Sequence, residues 1–183
     1  LFAFAGIFAV MAAWEIVAPR RDQRIGRGTR WPSNIGVVVL DTVLVRLLFP
    51  TTAVGLALVA EAQGWGLLHA LALPIWVSVP LAVLALDLAI YLQHVLFHAV
   101  PALWRLHRMH HADLEFDVTT GARFHPIETL LSMGIKLGVV AALGAPAVAV
   151  LAFEVLLNAT SMFNHSNVRM PVLLDRVLRW IAV

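Results

Sequence analysis

The sequence predicts an all-α fold, an integral membrane helical bundle formed by one domain over residues 1–183. Three observations lead to this prediction: 61% of the 183 residues are hydrophobic, only 13% are charged, and the mean hydropathy is +0.86. Soluble domains contain about 45–50% apolar and about 25% charged residues, whereas disordered chains are poor in hydrophobic residues and rich in charge. The composition therefore excludes both classes and leaves a membrane domain.

Predicted membrane spans occupy the first half of the chain. Residues 1–18 are almost entirely apolar, with Glu15 near the end, and predict a first transmembrane helix. They lack the basic start and the small-residue cleavage site of a signal peptide. The segment 20–31 then carries five arginines against one aspartate, so the positive-inside rule places it in the cytoplasm.

A second span is predicted over residues 35–60, interrupted by Pro50. The connection 61–73 contains no arginine or lysine, as expected for the opposite side of the membrane. A third span follows over residues 75–98. At about 1.5 Å per residue it is long enough to cross the hydrocarbon core.

The most polar part of the chain is the segment 99–128, whose basic residues again predict a cytoplasmic location. Two apolar runs follow, each shorter than the roughly 20 residues of a comfortable span. We interpret residues 129–163 as a helical hairpin that enters the membrane from the cytoplasm and returns. Its tip is predicted at Gly144-Ala145-Pro146.

The sequence contains no cysteine. Disulfides, thiolate zinc sites, iron–sulfur clusters and cysteine nucleophiles are therefore excluded, and any metal site must use nitrogen and oxygen ligands. Eight histidines are available, and all but His69 lie between His94 and His165. The sequence pI of 9.9 comes with a net charge of only +2. We interpret the arginine excess as a topology signal rather than a nucleic-acid surface.

A polar stripe runs along the third predicted span. Asp87, Tyr91, His94 and His98 stand at offsets of 0, 4, 7 and 11, which places them on one face of a helix. One interpretation is that these side chains pair with neighbouring helices. Because ionisable residues at membrane depth are costly and usually functional, we favour His94 and His98 as metal ligands, with Asp87 and Tyr91 orienting their rings.

A second histidine motif follows nine residues later. His107, His110 and His111 form an H-x-x-H-H pattern, in which the first and last share a helix face. Imidazole nitrogens suit zinc, iron, copper and nickel. Two such motifs in succession indicate a metal site rather than a chance pairing.

Two further histidines are candidate ligands on the same side of the membrane. His125, in RFHPIE, is either a ligand or a residue at a helix start that is hydrogen-bonded to Glu128. His165, in FNHSN at the end of the hairpin, is predicted to be a ligand. His69 lies in the connection on the opposite side and is not expected to contribute. The sequence thus predicts a cytoplasmic, histidine-rich metal site.

The ordered motifs DLAIYLQHVLFHAVPALWRLHRMHH, RFHPIE and FNHSN resemble the fatty acid hydroxylase superfamily, also called the sterol desaturase family. Its members are integral-membrane, histidine-box, non-haem di-iron oxygenases. The resemblance implies a cofactor of two iron ions and assigns the ligands box by box. These ligands are His94 and His98 in the first box, His107, His110 and His111 in the second, and His125 and His165 beyond them.

The resemblance also implies residues that orient the ligands, namely Arg123, Glu128 and Asn164 within the matching motifs. Two departures stand out. Val95 occupies a position where the first box commonly has arginine, and the third H-x-x-H-H box of the family is absent. We expect that box just past Val183, in a longer protein of which this chain is a part.

The function implied by the resemblance is hydroxylation or desaturation of a lipid C–H bond with O2. The lipid would be a sterol, a fatty acid or a related molecule, and the electrons would come from a separate donor protein. We expect no nucleic-acid partner. A bacterial inner membrane is favoured over the endoplasmic reticulum as the location.

Other functions stay open from the residues alone. A membrane zinc hydrolase would need few protein ligands and a carboxylate base, for which the candidates are Asp113, Glu115, Asp117 and Glu128. A bis-histidine haem electron carrier or a metal-ion transporter would be non-enzymatic. Against a transporter, the histidines gather at one face instead of lining the whole membrane depth.

Overall fold

The computed structural model describes residues 2–178 and residue 180, and within them the regular structure is helical, without strands. Leu1, residue 179 and residues 181–183 of the predicted domain lie outside the described residues. Two short 3-10 turns, His110–Ala112 and Thr120–Ala122, interrupt the polar segment. The α-helices are α1 (Phe2–Val17), α2 (Arg27–Leu48), α3 (Ala53–Gln63), α4 (Leu67–Ala70), α5 (Ile75–Ala99), α6 (Pro101–His107), α7 (Pro126–Leu143), α8 (Ala147–His165) and α9 (Val172–Leu178).

Four helical segments of the described residues are long and apolar enough to cross a membrane: Arg27–Ala70, α5, α7 and α8. Many of their apolar side chains are exposed, including Leu47, Trp76 and Leu84. Exposed apolar helices of this length are expected to face the lipid of a bilayer. The chain is therefore an integral membrane protein, and the prediction of an all-α membrane fold is confirmed. The side of the membrane on which the polar segment lies stays a prediction.

The described residues fall into two compact units. The first unit comprises Leu1–Val39, Met109–Phe124 and Val155–Val183, and the second comprises Leu40–Arg108 and His125–Glu154. Every contact described below lies within one unit.

In the second unit, α7 packs against α3, α4, α5 and α6. Helix α7 begins at Pro126, a residue whose fixed φ suits the first turn, and it ends at Gly144 in the left-handed conformation. A partly buried ion pair joins Lys136 of α7 to Glu154 of α8, with Nζ and Oε1 3.2 Å apart. The two helices and the turn between them occupy the region where the hairpin is predicted.

In the first unit, an apolar core contains residues of α1, the polar segment, α8 and the loop that follows α8. Its buried members are Met11, Ala12, Val118, Met162 and Val168. Aromatic rings cover this core, among them Phe8, which contacts Trp31 edge to face at 5.6 Å. Helix α1 thus packs against the part of the polar segment around Val118.

Helix α2 differs most from the predicted spans, because it begins at Arg27 rather than near residue 35. Pro32 lies inside the helix, where proline normally removes a hydrogen bond and strains the backbone. Tertiary contacts of the preceding residues outweigh this cost, since Arg30 and Trp31 both bind carboxylates of the polar segment. The interruption predicted near Pro50 is present as the break between α2 and α3.

Candidate metal centre

Three histidines of the second unit form a cluster, which we call the histidine trio: His94, His98 and His107. Helix α5 places His94 and His98 one turn apart, and their Nε2 atoms lie 3.1 Å from each other. The extended backbone at Val100 (φ −95°, ψ 118°) ends α5, and α6 then carries His107 to the same place. One ring nitrogen of each histidine lies within 4.8 Å of the others.

Glu128 orients the third ring of the trio. Its Oε1 lies 2.7 Å from Nδ1 of His107, and both side chains are buried. A carboxylate that accepts from Nδ1–H fixes the tautomer and leaves Nε2 as the ligand atom. Glu128 is in the first turn of α7, so the start of that helix is part of the site.

Two histidines of the first unit form the histidine pair: His110 and His165. Their Nε2 atoms lie 2.9 Å apart. Nδ1 of His110 donates to the main-chain oxygen of Arg123 at 3.1 Å, and Nδ1 of His165 donates to that of Ser161 at 2.7 Å. A carbonyl oxygen only accepts, so each neutral ring holds its proton on Nδ1 and presents a lone pair at Nε2. Two imidazole nitrogens at this distance can both bind one metal ion.

Both groups fit a metal ion. Imidazole nitrogens bind metals at about 2.0–2.1 Å, so two nitrogens at about a right angle on one ion lie about 2.9 Å apart. The observed separations are 3.1 Å between His94 and His98 and 2.9 Å within the histidine pair. A donor set of neutral imidazoles suits iron, zinc, copper and nickel.

Aromatic side chains pack against the ligand rings. His110 stacks on Phe124, with ring centroids 4.5 Å apart and planes 6° from parallel. In the second unit, the ring of Trp104 lies 5.3 Å from that of His98 and 6.2 Å from that of His107. Such packing restricts the rotamers of these candidate ligands.

His111 and His125 are less closely involved. The ring of His111 is exposed and lies 5.0 Å from that of His110. His125 caps α7, since its Nδ1 accepts from the main-chain N–H of Ile127 at 3.2 Å. Glu128 binds His107 rather than His125. Within the second unit, the structure does not bring His125 into the histidine trio.

The residues predicted to orient the ligands divide into two groups. The side chain of Glu128 contacts the ring of His107, whereas Arg123 contacts that of His110 through its main-chain oxygen rather than its guanidinium. Asp87 and Tyr91 lie exposed on α5, and Asn164 is also exposed. For all five residues, the role in orienting metal ligands stays a prediction.

A buried ionic network orders the loop after His111, and sequence reasoning missed it. The guanidinium of Arg30 binds Asp113 through Nε at 2.9 Å and Asp117 through Nη1 at 2.9 Å. Asp113 also accepts from Asn34 and Thr120. Burial raises the pKa of the Asp113 carboxyl, but the hydrogen bonds from Arg30, Thr120 and Asn34 outweigh it, so the pKa lies well below its usual value.

Glu15 is a further residue to which the sequence assigned no role. Its side chain is fully buried in the first unit, and Oε1 accepts from the main-chain N–H groups of Val118 and Asn167. A carboxylate near the end of an apolar helix is a signal that could have singled it out. For Arg30 no such signal exists, because it is one of five arginines in a short basic segment.

Comparisons with known proteins identify the family of the chain. The sequence profile of the fatty acid hydroxylase family matches residues 79–182, more than half of the chain. The ornithine lipid hydroxylase OlsE of Rhizobium tropici is 30% identical over 97 residues, which are 53% of this chain and 29% of that protein. The chain thus spans less than a third of this relative. No solved structure matches. On the extent of the profile match, which includes every residue of the histidine trio and the histidine pair, the chain belongs to the fatty acid hydroxylase family.

Proposed function

We propose that this chain carries histidine ligands of a non-haem di-iron centre, which uses O2 to hydroxylate or desaturate a C–H bond of a membrane lipid. The observation that supports it most is the gathering of five histidines in two groups, with acceptors on the Nδ1 atoms of His107, His110 and His165. The family and the name of the relative support a lipid hydroxylase. Iron, its number and the use of O2 are our proposal.

Some residues of the chain would bind the metal ions, and others would orient the rings of the ligands. The histidine trio would hold one ion. The histidine pair would hold a second ion, with His111 as a further candidate ligand. When bound, iron would supply the activation of O2. Glu128 and the main-chain oxygens of Arg123 and Ser161 would keep the Nδ1 protons in place and the Nε2 atoms available.

A lipid substrate fits the surroundings of the first two ligands. His94 and His98 are exposed on α5, and so are the neighbouring side chains of Val95 and Leu96. A hydrocarbon chain in the bilayer could therefore contact apolar side chains directly beside the ligands. We further propose that the histidines lie on the cytoplasmic side of a bacterial inner membrane, where a separate protein donates electrons.

The alternatives find less support. A hydrolase needs a free carboxylate base, but Asp113 and Asp117 bind Arg30, Glu115 accepts from the main chain of Arg24, and Glu128 binds a ligand histidine. Haem needs two imidazoles on opposite faces of a planar ring. Nitrogen separations of 2.9 and 3.1 Å leave no room for such a ring within either close pair.

The test is iron content and activity of matched histidine variants of the complete protein in detergent. His94→Ala removes a ligand of the trio, whereas His69→Ala removes an exposed histidine of the same unit that lies outside it. We expect His94→Ala to lose iron and at least about 100-fold in activity, since the metal contributes several kcal/mol to such reactions. His69→Ala should retain both.

Activity is measured by mass spectrometry as the gain of one oxygen atom or the loss of two hydrogens. Ornithine lipid, which the name of the relative gives, and a total bacterial lipid extract are the first substrates, supplied with O2 and a reductant. Iron and activity that both survive in His94→Ala would contradict the proposal. Lipid turnover that continues without O2 would favour a hydrolase instead.

A further inference from the structure

We propose that Glu15 of α1 is a positioning residue for the ligands His110 and His165, so that the N-terminal helix completes the metal site of the first unit. The inference rests on the proposed function, because it requires a metal at the histidine pair. The family profile begins at residue 79, so Glu15 lies outside the part of the chain that defines the family.

One oxygen atom of Glu15 joins the two chain segments that carry the pair. Its Oε1 accepts from the main-chain N–H of Val118 at 2.8 Å and from that of Asn167 at 2.7 Å. Val118 lies in the loop that follows His110, and Asn167 lies two residues beyond His165. The separation between these segments is therefore set in part by a single carboxylate.

The position of Glu15 is not explained by packing alone. Its side chain is fully buried, and its second oxygen, Oε2, has no hydrogen-bond partner among the described residues. The nearest cation, the guanidinium of Arg27, is 3.9 Å away. An apolar side chain would fill the same space without the cost of burying a charge. Only an acceptor can satisfy two N–H groups from segments that are 103 and 152 residues away.

A second link ties the same two segments together at the ligands themselves. The hydroxyl of Ser161 donates to the main-chain oxygen of Gly121 at 2.7 Å. Ser161 also supplies the oxygen that orients His165, and Gly121 lies two residues before Arg123, which orients His110. A shift between the segments at Glu15 would therefore reach both Nδ1 acceptors.

The experiment is a titration of the metal-free complete protein in detergent with Co²⁺, whose binding is read from visible absorption and stoichiometry. The wild type should bind two equivalents. Glu15→Leu strands two buried N–H groups, so one equivalent should bind about 10–100-fold more weakly, as when a group that orients a ligand is lost. Glu15→Gln keeps an acceptor oxygen at the position of Oε1 and should bind both equivalents within about threefold of the wild type.

Two controls separate positioning from loss of stability and identify the affected ion. Lys136→Met breaks a partly buried ion pair of the second unit and should retain both equivalents. Glu15→Leu combined with His110→Ala should lose no more metal than His110→Ala alone. Combined with His94→Ala, it should weaken both equivalents, because the two changes then act on different ions.

The outcomes are distinguishable. A wild type that binds no metal overturns the proposed function together with this inference. A wild type with two equivalents and a Glu15→Leu variant of unchanged affinity overturns the inference alone. If Glu15→Leu does not fold, Glu15→Asp, which keeps the charge but withdraws the oxygen by one methylene, takes its place. Glu15→Asp should bind one equivalent more weakly than Glu15→Gln, and equal weakening in both variants overturns the inference.

Discussion

Single histidines of this chain differ in what their Nδ1 atoms do. In His107, His110 and His165 this atom faces a carboxylate or carbonyl oxygen, which leaves Nε2 as the candidate ligand atom. In His125 it faces a main-chain N–H and must be the acceptor. A neutral His125 ring then carries its proton on Nε2, the atom that a metal would need. The same residue type thus forms a candidate metal ligand in one place and a helix cap in another.

The role of His125 as a helix cap can be tested by substitution. His125→Asn preserves a side-chain acceptor at the N-cap of α7, whereas His125→Ala removes it and should cost about 0.5–2 kcal/mol of stability. We expect both variants to bind metal as the wild type does, and only the alanine variant to unfold at lower temperature. Iron per chain and thermal unfolding in detergent provide the measurements. Loss of an iron ion in His125→Asn would show that His125 is a ligand after all.

The end of helix α7 is determined by the turn at Gly144. Gly144 ends the helix with φ +61°, and a Cβ atom at this position would lie 1.8 Å from the main-chain oxygen of Trp65. That oxygen belongs to the backbone between α3 and α4, so it cannot move aside cheaply. The turn that sequence reasoning placed at the hairpin tip is therefore also the contact that holds α7 against the preceding helices of the second unit.

A glycine comparison tests this role. Gly144→Ala should lose at least about 2 kcal/mol of unfolding free energy, because the left-handed conformation costs about 1–2 kcal/mol for any other residue and the clash adds to it. Gly138→Ala is the matched control, since this residue lies within α7 and a Cβ there meets nothing within 4 Å. That control should be neutral or stabilising by up to about 1 kcal/mol. Unfolding in mixed detergent micelles measures both, and equal stability of the two variants would refute the role of Gly144.

The sequence predicts which side of the membrane each connecting segment faces. The distances within the structure do not test this prediction. The arginine-rich segment 20–31 is predicted to be cytoplasmic, and the connection 61–73 is predicted to face the other side. The chain contains no cysteine, so a single introduced thiol reports its own location. Asp22 and Gln63 are exposed and lie in these two regions.

Labelling of intact spheroplasts with a membrane-impermeant thiol reagent tests the topology. Gln63→Cys should be labelled at once, and Asp22→Cys only after the membrane is permeabilised. Permeabilised samples of both variants show that each thiol is reactive. The reverse pattern would place the arginine-rich segment outside the cytoplasm and contradict the predicted location of the histidines.

Local patterns account for what the sequence could predict. Apolar runs predicted the membrane helices, and the period of a helix brought His94 and His98 to one face. Glu15 and Arg30 could not be assigned in the same way, because their partners lie at Val118, Asn167 and Asp113. No periodicity relates positions that distant, and Pro32 even argued against the helix that carries Arg30. Contacts between distant segments therefore remained hidden until the fold was known.

The separation of the two histidine groups along the chain has a consequence for biogenesis. The trio lies within α5 and the short helix that follows, so its members can meet as soon as this stretch leaves the ribosome. The pair joins residues 55 positions apart, and the Glu15 link spans 152 positions. Closure of such long loops comes late in folding. During synthesis, the histidine trio can thus form before His165 of the histidine pair has been translated.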